Sequence, residues 1–103
     1  MKEKDLTKAV IEMAKREGWL VAHFRTAQTA RGAFVTPVQG DGAGFPDLVL
    51  LRGPRGIAAE LKVGKNKPTA EQWRWLHAFE EPGWEVYVWT EKDWPDFIYR
   101  VLR

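Results

Sequence analysis

Asp47, Glu60 and Lys62 are the residues of this chain whose types and spacing could do chemistry. They lie within residues 44–62, where two apolar runs flank Gly53-Pro54-Arg55-Gly56, the pattern of a β-hairpin with a four-residue turn. Pairing Arg52 with Ile57 across that turn sets Leu51 opposite Ala58, Val49 opposite Glu60 and Asp47 opposite Lys62. Opposed residues share a sheet face, and so do residues two apart on a strand. Asp47, Glu60 and Lys62 are therefore expected to project from one surface. The other face collects Leu48, Leu50, Ile57, Ala59, Leu61 and Val63, which is a core face. Two carboxylates and a lysine beside such a hairpin are costly unless paired, exposed or metal-bound. The bland alternative is a surface salt bridge, worth under about 1 kcal/mol. The pattern favours an active site.

The elements that must position these residues are legible in the same way. Residues 3–17 predict a helix with Leu6, Val10 and Met13 as its inward stripe, joined by Ala9 and Ala14 and ended by Gly18. A strand is expected over Trp19 to Phe24. Residues 25–44 hold Arg25, Arg31 and four glycines, with Phe34-Val35 as a short extended piece; a loop this long in a small domain is usually functional. The hairpin covers 47–63. Thr69 opens a helix to about Glu81, with Trp73, Leu76 and Phe79 inward, and Pro82-Gly83 stops it. Trp84 to Thr90 forms a last strand, and a short helix within 91–103 seals one side. The order is α-β-β-β-α-β. Three meandering strands and a helical crossover into a fourth imply a mixed sheet, with that crossover right-handed.

Composition sets the bounds. The 103 residues suit one domain, 1–103, and 45% hydrophobic residues supply a modest core. There is no cysteine, which excludes disulfides and thiolate metal sites and fits a reducing interior. No long apolar stretch or signal-peptide core is present, so cytoplasmic residence without membrane contact is expected. The net charge of +2 is uneven: residues 1–67 carry +5 and residues 68–103 carry −3. The positive part holds the acid pair, as expected if a polyanion must approach it.

Pro46-Asp47 followed by Glu60-Leu61-Lys62 resembles the signature of the PD-(D/E)XK nuclease superfamily. The surroundings resemble its virus-type replication-repair nuclease (VRR-NUC) family. Glu3 lies on an N-terminal helix, followed by Gly18-Trp19, His23-Phe24-Arg25 and Gly44-Phe45-Pro46-Asp47-Leu48. A lysine-rich turn after the Glu-Leu-Lys triplet then leads to a helix with Gln72. The match spans roughly residues 3 to 90. It implies an α/β fold with a restriction-endonuclease-like core, whose α-β-β-β-α-β order is the one read independently above.

The resemblance also implies an activity and its residues. A stand-alone member is a Mg²⁺-dependent DNA endonuclease, with Mn²⁺ as a substitute. It acts as a homodimer on branched DNA such as Holliday junctions, in a phage or bacterial setting and with a helicase or replication complex as partner. The runner-up readings are a flap or single-strand nuclease and a DNA-binding module without catalysis. Asp47 and Glu60 become metal ligands, joined by the backbone carbonyl of Leu61. Glu3 is placed on the core-facing stripe where it could reach the metal directly or through water. Otherwise it is a first-turn glutamate favoured by the helix dipole. Mg²⁺ suits such a site, because it uses few carboxylates and keeps waters and phosphate oxygens. Lys62 acts on the attacking water or on charge in the transition state. Gln72 stands by the site in the family pattern, yet Thr69-Ala70-Glu71-Gln72 also reads as a capping box; both roles stay open. Lys65, Lys67, Arg25, Arg31 and His23 are expected to contact DNA. Phosphate contacts of this kind carry no base information.

Overall fold

A computed structural model of the chain describes residues 1–24, 27–28, 34–35 and 38–103. Helix α1 (Glu3–Arg16) opens with Glu3 and Asp5 in its first turn and closes with Lys15 and Arg16, charges that complement the helix dipole at both ends. It buries Leu6, Val10, Met13 and Ala14, the stripe read from the sequence, and also Thr7, whose hydroxyl donates to the Glu3 carbonyl at 2.9 Å. Strand β1 (Leu20–His23) follows, then two short strands, β2 (Ala27–Gln28) and β3 (Phe34–Val35), paired antiparallel with each other. Strands β4 (Leu48–Arg52) and β5 (Arg55–Lys62) form the hairpin. Helix α2 (Ala70–Glu80), strand β6 (Glu85–Thr90), a 3₁₀ turn (Glu91–Asp93) and helix α3 (Asp96–Leu102) complete the order.

The main sheet runs β1-β4-β5-β6, antiparallel except for the β5–β6 pair. That is the expected mixed α/β sheet, three meandering strands and a helical crossover to a parallel fourth. Leu48, Leu50, Ile57, Ala59 and Leu61 join Leu6, Val10, Met13, Trp19, Trp89, Ile98 and Leu102 in one buried cluster. So α1 and α3 cover the predicted core face. Helix α2 packs on β5 and β6 over the other, where Ala58 and Leu76 are buried.

At the end of the sheet where β4 turns into β5, Arg52 and Arg55 lie over the Trp19 ring at 4.5 and 4.9 Å. The same arginines hold the end of α3. Arg52 donates to the Leu102 carbonyl at 2.8 Å and Arg55 to that of Val101 at 3.1 Å. Trp19 Nε1 adds a second bond to the Leu102 carbonyl at 2.8 Å. Carbonyls that the end of a helix leaves without partners are thereby satisfied.

Two expectations are corrected. The hairpin turn has two residues, Gly53-Pro54, with Arg52 paired to Arg55, Leu50 to Ile57 and Leu48 to Ala59. Gly53 takes a φ of +56°, and a glycine at positive φ followed by proline at its fixed negative φ suits the tight turn whose twist matches the strands. A four-residue loop would forgo that match. Trp73 is also turned outward and is 45% exposed, whereas Leu76 alone is fully buried on α2. Gly44 and Phe45 precede the hairpin and pack on α2 against the Glu71–Gln72 backbone and Trp75.

Candidate active site

The site forms where β4 begins and β5 runs on past it. With the observed register continued beyond the ladder, Asp47 stands opposite Glu60, not Lys62, and Pro46 stands opposite Leu61. The shift from the expected pairing is two residues. Because side chains alternate with a period of two, such a slip changes partners without changing faces. Asp47, Glu60 and Lys62 therefore still converge.

Their contacts are specific. The Leu61 backbone N–H donates to Asp47 Oδ2 at 2.8 Å, and the Asp47 N–H donates to Glu60 Oε1 at 3.2 Å. Lys62 Nζ lies 4.0 Å from Glu60 Oε2. Opposite Leu61, proline has no N–H to offer, so the sequence Pro46-Asp47 ends backbone pairing at this point. A strand residue directs its N–H and carbonyl toward the same neighbour in an antiparallel ladder. The Leu61 carbonyl thus faces the Asp47 side, lacking the donor that any other residue at position 46 would bring. This is the carbonyl expected among the metal ligands.

Glu60 is wholly buried, and its Oε2 has no hydrogen-bond partner. A buried carboxylate with a free oxygen is expensive unless it keeps its proton or meets a cation. Burial first, and then the charge of Asp47, push the Glu60 carboxyl up to about 8; Lys62 and the Asp47 N–H oppose the shift. Burial also raises Asp47, against the Leu61 N–H, Lys62 and His23. Two adjacent acids of this kind hold a proton between them when no cation is present, and they titrate as a pair.

Glu3 lines the same cleft as Asp47 and His23. Burial, and then the charge of Asp47, raise its carboxyl, with Lys62 offsetting part of the effect. Among the described residues no group of three acidic or histidine side chains is placed to hold a metal ion. Two carboxylates and a backbone carbonyl are oxygen donors of the kind Mg²⁺ takes, with the cleft beside Asp47 open to its waters.

The other expected residues divide. Gln72 is in its capping box: its Oε1 accepts from the Thr69 N–H at 2.8 Å, and its own N–H donates to Thr69 Oγ1 at 3.2 Å. Lys65 and Lys67 are exposed on the turn after β5. That turn is held from below, since the Gly64 N–H donates to Glu91 Oε1 at 2.9 Å. His23 pairs with Leu48 across β1 and β4 and lines the cleft. Arg25 and Arg31 lie outside the described residues.

Lys4 and Lys8 were not singled out from the sequence, and Gly44 and Phe45 were noted only within the Gly44–Leu48 motif, without a role. Lys4 and Lys8 line the cleft from α1; their i, i+4 spacing beside the buried stripe was the available signal. Gly44 has a φ of +79°, and a Cβ there would lie 2.5 Å from the Glu71 carbonyl carbon and 2.7 Å from the Gln72 nitrogen. Phe45 beside it meets Phe24, Trp75 and Phe79 edge-on, with ring centroids 4.8–5.9 Å apart. Gly44 and Phe45 thus dock the Asp47 loop on α2. No protein-family model matches the chain, and no curated protein matches it in sequence.

Proposed function

We propose that this chain is a metal-dependent DNA endonuclease of the VRR-NUC type, acting as a homodimer on branched DNA. The observation that carries the reading is the free, buried Glu60 Oε2 beside Asp47, with Lys62 Nζ 4.0 Å away. Lys62 reaches that oxygen only as a loose ion pair without a hydrogen bond, which leaves the oxygen a position to offer a second cation. Asp47, Glu60 and the Leu61 carbonyl would hold the ion, with Glu3 acting through water. A divalent cation supplies polarisation of the phosphoryl group and offsets charge on the leaving oxygen.

The chain's own groups do the rest. Asp47 is pinned by the Leu61 N–H, so its carboxylate is oriented before any ligand arrives. Lys62 sits where it can orient the attacking water or neutralise charge on the phosphate. In the reaction the water oxygen bonds to phosphorus, the bond from phosphorus to the leaving oxygen breaks, and the water proton ends on the leaving group. One site per chain means that symmetric incision of a junction takes two copies related by a two-fold axis.

Purified protein incubated with junction, flap and linear DNA, with Mg²⁺, with Mn²⁺ or with chelator, tests the reading. Cation-dependent cleavage that is lost in both Asp47→Ala and Glu60→Ala, with folding retained, is the expected result. Undiminished cleavage in both variants would sink the site. A monomeric mass by light scattering, with nicked circles preceding linear product on a cruciform plasmid, would replace symmetric resolution by single-strand incision.

A further inference from the structure

The cleft beside the acid pair has a shape and lining of its own. It holds about 580 Å³, and Glu3, Lys4, Thr7, Lys8, Ile11 and Glu12 line it from α1. His23 and Asp47 close it opposite. That volume lies within the range of small-ligand pockets. A volume of that size suits a nucleotide or two of a single strand rather than a paired duplex.

The lining matches such a strand. Lys4 and Lys8 are exposed and one helical turn apart, about 6 Å along the axis, close to the spacing of successive phosphates in an extended strand. Ile11 is partly buried against the core and gives the wall an apolar surface for a base. The Thr7 hydroxyl is already committed to the Glu3 carbonyl, which leaves the lysines as the cationic contacts on this wall, beside Glu3 and Glu12. The acids occupy the ends, Glu3 and Asp47 at the reaction site and Glu12 about two and a half turns along α1 from Glu3, with the two lysines between them.

We infer that the cleft along α1 takes a single unpaired DNA strand, with Lys4 and Lys8 on consecutive phosphates, and leads it to Asp47 and Glu60. The inference rests on the nuclease reading only for what the strand is delivered to. It selects unpaired DNA, within or beside a branch, as what enters the site.

Fluorescence anisotropy with a labelled oligothymidylate and a blunt duplex of equal length, in Ca²⁺ over a range of salt, tests it. The wild type is expected to prefer the single strand. The Lys4→Ala/Lys8→Ala variant should lose about 0.7 per contact from the slope of log affinity against log salt. An unchanged slope, or tighter binding of the duplex by the wild type, would overturn the inference. A circular dichroism melt shows that the variant is folded, and a matched Lys15→Ala/Arg16→Ala variant separates the cleft from general charge loss. An equal slope change in that control also overturns the inference. Cleavage in Mg²⁺ with an unchanged slope would refute the cleft while leaving the nuclease standing. A reduced slope without any cleavage would do the reverse.

Discussion

Replacing Glu60 by Gln should stabilise the cation-free protein at alkaline pH, because the buried carboxyl resists ionisation. The folded chain keeps the Glu60 proton up to about 8, whereas the unfolded chain releases it near 4.5. Between those values the unfolded state binds fewer protons, so stability falls as pH rises. The contribution is fully present below 4.5 and gone above about 8. At about 1.4 kcal/mol per unit, that interval corresponds to an upper figure on the order of 5 kcal/mol. Asp47 supplies part of the shift, and the two acids titrate together, so roughly 3 to 5 kcal/mol is the expected loss.

Urea unfolding in chelator at pH 5 and pH 9, for wild type and Glu60→Gln, measures the difference for the coupled Asp47–Glu60 pair, since titrations remote from the pair cancel between the two proteins. Mg²⁺ should restore the wild type at pH 9 by binding only the folded chain, about 2.7 kcal/mol at a hundredfold excess over Kd, and should do far less for the variant. Equal losses in both proteins would refute the reasoning. So would a Mg²⁺ effect of the same size in the variant.

Two further outcomes probe how the site is held. Gly44→Ala should cost about 2 to 4 kcal/mol by urea unfolding, because a left-handed backbone and a contact with the first turn of α2 are both penalised; wild-type stability would show that the loop floats free of α2. Gln72→Ala should cost about 1 kcal/mol through the lost cap and leave cleavage within a few-fold of wild type. A large fall in turnover at unchanged stability would instead place Gln72 in the chemistry.

The face shared by Asp47, Glu60 and Lys62 was legible because strand alternation survives an error in turn length. The expected four-residue turn was two residues too long, both on the β5 side, yet every side chain kept its side. The stripe of α1 and the Thr69–Gln72 cap were legible for a similar reason, since both are local patterns that need no partner from elsewhere. Trp73 was misplaced, because helical spacing says which residues share a face but not what else competes to cover it.

By itself the sequence determined which elements form, which faces are apolar and that two acids and a lysine gather at one end of a hairpin. Those properties depend on residue periodicity and on turn chemistry within a few residues. Only the tertiary structure decided that Glu60 is sealed from water with one oxygen free, and that Gly44 seats the Asp47 loop on α2. It also decided that Lys4 and Lys8 wall a cleft leading to the acids. Desolvation and cleft shape arise from atoms far apart in the chain, and no spacing along the chain encodes their distance in space.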